Sequence, residues 1–172
     1  VWPHEVDWCI QECSQAADRR VGEIARVMLF IARECPVRYQ DLSRLVVVNV
    51  TFLQDARGHY CKLDVVRRAG RGRLKTESSQ RRLILRAPPA LQAMREWIDR
   101  RQRESGRRTA YLFGDPRSDT ARYRPAAVHS LLNRLLKRAT GDQRVRFHDL
   151  RHTVVSEQMT WALTSSAWID AS

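Results

Sequence analysis

The chain has 172 residues, of which 31 are Lys or Arg and 19 are Asp or Glu, and 43% are hydrophobic. This length and apolar content predict one domain with its own core and argue against extensive disorder. No apolar run approaches the roughly 18 residues of a membrane span. The start has neither the cationic nor the apolar segment of a secretory signal, and it lacks Met, so we expect a fragment without a leader or membrane anchor.

Helical patterns open the chain. Apolar residues recur at helical spacing over Glu5–Ala17 and more regularly over Val21–Arg33. Pro36 then interrupts the pattern. A short helix is predicted over Tyr39–Leu45. The first quarter of the chain is therefore predicted to be helical.

Strand patterns follow. Val46–Phe52 is rich in β-branched residues, and Tyr60–Arg67 alternates apolar and polar residues after a turn at residues 57–59. Gly70–Gln80 is predicted to be a polar loop, and Arg82–Leu85 a third short strand. Short loops between successive strands predict an antiparallel sheet.

Helical patterns return in the second half. Pro88 opens a helix that Gly106 ends, and Pro125–Ala139 and Phe147–Leu163 are two further amphipathic segments. The order predicts an α+β fold, a mostly helical single domain with a small three-stranded antiparallel sheet. We assign residues 1–163 to this domain and residues 164–172 to an atypical tail.

Four cysteines, Cys9, Cys13, Cys35 and Cys61, lack the paired spacing of a zinc site. Reduced, half-buried thiols are the favoured interpretation, and a metal site is the alternative. Reduced thiols indicate a cytoplasmic location.

Positive charge is concentrated in the middle of the chain. Between Arg67 and Arg108, 14 basic residues face four acidic ones. A solvated face is one interpretation, but a surface that binds a polyanion is favoured, because the planar guanidinium group suits phosphate oxygens. Charge alone does not separate DNA from RNA.

Four side chains are candidates for phosphate chemistry: Arg38, Lys75, His148 and Arg151. His148 and Arg151 are three residues apart, which brings two side chains to one face of a helix. Two arginines could clamp phosphate oxygens as negative charge builds, a lysine could protonate a leaving oxygen, and a histidine could act as acid or base.

These segments, in this order, resemble the catalytic domain of tyrosine recombinases, the phage integrase family. Residues 36–42 resemble its Arg-x-x-Glu-Leu box with Asp41 in place of Glu, residues 74–79 its hairpin Lys-Thr motif, and residues 147–153 its His-x-x-Arg box. The resemblance covers roughly residues 5–160.

The resemblance implies an integrase-like catalytic core that binds double-stranded DNA, self-associates on it, and cuts and rejoins strands through a 3′-phosphotyrosyl link. It implies no metal, no other cofactor and no small-molecule substrate, and a nucleoid-associated protein of a phage or mobile element. The catalytic residues would be Arg38, Lys75, His148 and Arg151. Additional DNA contacts are expected from the cations of the central basic region, namely Arg71, Arg73, Arg81 and Arg82.

No tyrosine follows Arg151, and the family's Leu-Gly-His box is missing, so we name no nucleophile and leave open whether the chain is an enzyme by itself. A truncated recombinase domain is the leading hypothesis. The alternatives are a catalytically inactive DNA-binding relative that regulates sites, and an unrelated basic nucleic-acid-binding module. The three differ in one geometric expectation, since only a recombinase fold should bring Arg38 and Arg151 together.

Overall fold

A computed structural model describes residues 1–65 and 81–156. The fold is α+β and mostly helical, with one three-stranded antiparallel sheet, which confirms the predicted class. Two predicted features, the loop over residues 70–80 and the tail from residue 164, lie outside the described residues.

Two helices begin the chain, α1 over Pro3–Glu12 and α2 over Arg19–Glu34. The predicted first helix continued to Ala17, but residues 13–15 tighten into a 3₁₀ turn. Close packing explains this end, because a Cβ atom at Gly22 would lie only 2.2 Å from the carbonyl oxygen of Cys13. The chain before α2 therefore passes directly over its first turn.

The sheet follows a short helix, α3, over Tyr39–Ser43. Strands β1 (Val50–Asp55), β2 (Gly58–Val65) and β3 (Arg81–Leu85) pair antiparallel in the order β1-β2-β3. The strands bury alternate residues beneath the sheet, as period-two side chains require, and these include Cys61, Leu63, Leu83 and Leu85.

The predicted first strand was wrong at its start. Residues 47–49 form a 3₁₀ turn, and β1 begins only at Val50. The side chain of Asn49 accepts a hydrogen bond from the backbone N–H of Val46 at 3.0 Å, and the N–H of Val47 donates to the carbonyl of Ala110 at 3.0 Å. A local side-chain bond thus replaces strand pairing despite the β-branched composition.

Three helices complete the described chain. Helix α4 spans Pro88–Ser105, and α5 spans Pro125–Thr140. The left-handed residue Gly106 ends α4, as predicted. Helix α6 begins at residue 149 and continues to residue 156, where the described part ends. Helix α1 packs against both α2 and α5, so the N-terminal and C-terminal helices share one core.

All four cysteines are free and buried in this core, which corrects the expectation of half-buried thiols. Burial raises the pKa of each thiol to about 12. Among residues 1–65 and 81–156 no three His, Cys, Asp or Glu side chains are placed to hold a metal ion. The cysteines act as small apolar residues.

A buried ionic cluster joins α2, α4 and the chain after α4. Both carboxylate oxygens of Glu104 accept hydrogen bonds from Arg20, at 2.6 and 2.8 Å, and one also accepts from Arg101 at 2.8 Å. Arg101 is 0% exposed, and its Nε donates to the carbonyl of Tyr111 at 3.1 Å. The guanidinium of Arg20 lies over the ring of Trp97, 5.3 Å from its centre.

Replacement of Glu104 by Gln should lower the free energy of unfolding by about 3 kcal/mol or more, because two buried guanidinium groups lose their anion. Urea unfolding at neutral pH measures this. The exposed pair Arg19–Glu23 offers a control, since Arg19→Gln should cost well under 1 kcal/mol.

The same carboxyl predicts an acid dependence. Burial raises the pKa of Glu104, but hydrogen bonds from Arg20 and Arg101 outweigh burial and hold it below the ordinary value. Its contribution is therefore full above the pKa of an unfolded glutamate, about 4.3, and is lost as the pH falls through the lower folded-state pKa. The Gln variant should lose less stability across that window than the parent, and parallel curves would contradict the assignment.

Candidate functional site

Three guanidinium groups from distant segments converge beside α3. Burial lowers the pKa of Arg151, and the positive charges of Arg81 and Arg38 lower it further, while the carboxylate of Asp41 opposes them. Arg38 precedes the first turn of α3, Arg81 begins β3, and Arg151 lies in the first turn of α6. Arg38 and Arg151 therefore lie in one region of the fold, close enough for their charges to interact.

Asp41 organises this group of arginines. Its carboxylate forms an ion pair with Arg81, and it accepts a hydrogen bond from the backbone N–H of Arg38 at 3.4 Å. The second contact closes the N-terminus of α3 in the manner of a capping box. One carboxylate thus fixes both the backbone of Arg38 and the side chain of Arg81.

His148 lies at the entry to α6 and is exposed. Its carbonyl accepts from the N–H of Arg151 at 3.1 Å, so the two residues share one helical turn. The carboxylate of Asp149 accepts from the N–H of Arg146 at 2.7 Å, which places it at the helix start. The His148 and His152 rings meet edge to face, 5.4 Å between centres.

The other predicted site residues are placed unevenly. Lys75, Arg71 and Arg73 lie outside the described residues. Arg82 is exposed on the outer face of the sheet, 3.6 Å from the carboxylate of Asp64. The structure therefore describes Arg38, His148 and Arg151 of the proposed catalytic set, and Arg81 and Arg82 of the proposed DNA contacts.

Sequence reasoning missed Arg122. Its guanidinium donates to the hydroxyl of Ser43 at 3.3 Å. Burial raises the pKa of Tyr39, and the positive charge of Arg122 offsets part of that rise. This cation therefore adds to the positive field around α3. It follows a turn-rich segment, where an isolated arginine carries no distinguishing signal.

Three of the tyrosine side chains have contacts that hold them away from a free nucleophilic role. The Tyr39 hydroxyl donates to the carbonyl of Pro125, and the Tyr123 hydroxyl donates to Asp18 at 3.2 Å. The guanidinium of Arg86 covers the ring of Tyr60, 4.8 Å from its centre. Each of these three tyrosines is therefore engaged in a structural contact, and none is named as the nucleophile.

The arrangement suits an oxyanion. Several planar guanidinium groups with a single described carboxylate among them leave an excess of positive charge, and arginine forks match the geometry of phosphate oxygens.

Within the described segments, no helix has the length and apolar character needed to cross a membrane.

Comparisons with known proteins concern the family and the fold. The model of the Phage integrase family matches residues 4–160. A solved structure described as the crystal structure of XerA recombinase is similar in fold, with a TM-score of 0.63 at 21% identity over 92% of this chain. This chain spans 49% of that one, about half its length. No curated protein matches.

Replacement of Asp41 by Asn tests the balance of charge beside α3. The change should cost about 1 kcal/mol of stability or less through loss of the charged pair with Arg81, because the amide oxygen of Asn can still accept from the backbone N–H of Arg38. It should also increase the stabilisation that inorganic phosphate confers, because one negative charge is removed from among the arginines. Thermal unfolding with and without phosphate, at constant ionic strength, measures both effects.

Asp142→Asn is the matched control, because Asp142 carries the same charge but pairs with Arg144 at 3.2 Å, away from the proposed DNA contacts. Equal phosphate responses from the two variants would contradict an anion site beside α3.

Proposed function

The chain belongs to the phage integrase family, and from that premise we propose that it is the DNA-binding catalytic domain of a site-specific tyrosine recombinase. The observation that carries the proposal is the convergence of Arg38 and Arg151, which come from segments more than 100 residues apart. Convergence of distant cations is the arrangement that recognition of a single phosphate requires.

In the proposed reaction, a tyrosine oxygen attacks the phosphorus of a DNA phosphodiester. The new bond is a 3′-phosphotyrosyl link, and the bond from phosphorus to the 5′ oxygen breaks. The tyrosine loses a proton, and the 5′ oxygen gains one. Strand rejoining reverses these steps, and the covalent link conserves the bond energy without a nucleotide cofactor.

We assign the roles as follows. Arg38 and Arg151 bind the non-bridging oxygens, where negative charge is greatest in the transition state. His148 moves a proton at the same phosphate, and Lys75 donates one to the leaving oxygen. His148 is exposed next to Arg151, so its imidazole is accessible to a duplex.

The wider surface has a matching proposed role. The DNA backbone would be contacted by Arg71, Arg73, Arg81 and Arg82. Arg81 would either leave its ion pair with Asp41 or bind the phosphate while it keeps that pair. Such contacts position the duplex without reading its sequence. We propose residues 1–163 as one catalytic domain, with self-association on double-stranded DNA and a location in the cytoplasm at the nucleoid.

A second candidate function is a regulatory relative that occupies DNA sites without cutting them. It would bind DNA through the same arginines without forming a covalent link. A nicked suicide substrate, incubated with this chain and with a longer gene product that carries a downstream tyrosine, separates the two. A covalent protein–DNA adduct with the longer product identifies a recombinase domain, whereas sequence-specific binding without an adduct from either protein identifies the regulator.

Duplex binding tests the shared part of the proposal. Arg38→Gln and Arg151→Gln should each weaken affinity about tenfold at physiological salt and reduce the slope of log affinity against log salt by about one. Fluorescence anisotropy with a labelled duplex, over a series of salt concentrations, measures both quantities.

Arg144→Gln is the control, since that side chain is 91% exposed and bonds the neighbouring Asp142. If all three variants lose the same affinity, the DNA contact is diffuse and the proposed phosphate site is wrong.

A further inference from the structure

An aromatic cluster links the two halves of the proposed phosphate site. Tyr39 directly follows Arg38, and Phe147 directly precedes His148. Their rings meet edge to face, with 6.2 Å between centres and an interplanar angle of 84°. The residues that flank two proposed catalytic side chains are therefore in contact across 108 positions of sequence.

A second aromatic contact holds Tyr39 from the side of α5. The imidazole of His129 lies 4.5 Å from the Tyr39 ring, at a tilt of 39°. The Tyr39 hydroxyl donates to the carbonyl of Pro125, the first residue of α5. Ring and hydroxyl thus fix Tyr39 against the same helix.

Asn133 closes the cluster. Its side-chain oxygen accepts from the backbone N–H of Phe147 at 2.8 Å, so its amide nitrogen is the donor toward His129 Nε2, 3.3 Å away. Tyr39 contacts His129, His129 bonds Asn133, Asn133 bonds Phe147, and Phe147 returns to Tyr39. We call these four residues the clasp.

The clasp differs from ordinary core packing in its position. Phe147 is fully buried, but Tyr39 is only partly buried and His129 is exposed, so the cluster runs from the core to the surface beside the arginines. Each of its ends is bonded covalently to a proposed catalytic residue. Movement of α3 relative to the entry of α6 would have to break the ring contacts.

We propose that Tyr39 is a positioning residue that, through the clasp, sets the separation of Arg38 from His148 and Arg151. This inference rests on the proposed function, because it assumes that these three side chains act on one phosphate. Like-charged guanidinium groups repel, so a mechanical link is needed to keep Arg38 near Arg151 before an anion arrives. A small misplacement of such groups is costly for recognition and chemistry.

Duplex affinity, measured by anisotropy at one salt concentration, tests the inference. Tyr39→Leu removes the ring contacts and should weaken binding about threefold to tenfold, which corresponds to roughly 1 kcal/mol. Tyr39→Phe keeps both rings and loses only the hydroxyl, so it should restore affinity to within about twofold of the parent.

Tyr123→Leu is the matched control. Tyr123 is also partly buried and also bonds through its hydroxyl, but to Asp18, outside the clasp. It should lose a similar amount of stability in urea while duplex affinity stays unchanged. Equal losses of affinity in the two leucine variants would overturn the positioning role.

A double-mutant cycle identifies the route. If Tyr39 acts through Arg38, the double variant Tyr39→Leu, Arg38→Gln should bind no more weakly than Arg38→Gln alone. Additive losses would overturn the inference. Should Tyr39→Leu fail to fold, His129→Ala replaces it in the cycle, because this exposed side chain can be removed from the clasp without opening the core.

The same measurements separate the two proposals. If the parent chain does not bind duplex, or if Arg38→Gln has no effect, the proposed function fails and the clasp inference with it. If Arg38→Gln weakens binding while Tyr39→Leu and His129→Ala bind like the parent, the function stands and only the clasp inference is overturned.

Discussion

The carboxylate of Glu104 is the contact on which the arrangement of the helices depends. It is shared by Arg20 of α2 and the fully buried Arg101 of α4, and Arg20 also donates to the carbonyl of Gly114 at 2.9 Å. These side chains, together with backbone hydrogen bonds, therefore hold the chain between α4 and α5. A Cβ atom at Gly114 would lie 2.7 Å from the Arg101 guanidinium, so the backbone can approach only because that residue is glycine. This segment leads into α5, which carries half of the clasp.

An excess of arginine explains why single carboxylates recur at such points. With 19 acidic residues for 31 basic ones, carboxylates are scarce, and those placed between elements accept more than one hydrogen bond. Asp18 accepts from Arg124 at 2.7 Å and from the Tyr123 hydroxyl, while it also caps α2. Asp41 does the same at α3, and around it the positive charges remain in excess. Burial lowers the pKa of Arg151, and the positive charges of Arg81 and Arg38 lower it further. The proposed phosphate would therefore complete a local charge balance that the protein leaves open.

Periodicity was sufficient to predict the helices and the fold class, and the ordered motifs were sufficient to predict the family. Trp97 lies on α4, the helix predicted to begin at Pro88, and is 3% exposed in the core. The limits appear where contacts between distant segments decide the outcome. The valines before β1 were predicted as strand, but Asn49 and the carbonyl of Ala110 hold them in a turn. From the sequence, Arg101 would be expected on the surface, because a charged side chain is buried only with a partner. In the structure it is buried because it bonds Glu104. The contact of Tyr39 with Phe147 joins segments 108 positions apart, and no local pattern indicates it.

The burial of the four cysteines has a practical consequence for chemical labelling. A thiol reacts with oxidants and alkylating reagents as its thiolate, and a pKa of about 12 keeps that form scarce at neutral pH. The native thiols are thus shielded in the folded state, both by burial and by lack of ionisation. The native thiols of the folded chain should therefore react little with reagents used for site-directed labelling. A single cysteine introduced on the surface would take a fluorophore or spin label selectively, and any reaction of the native thiols would report opening of the core.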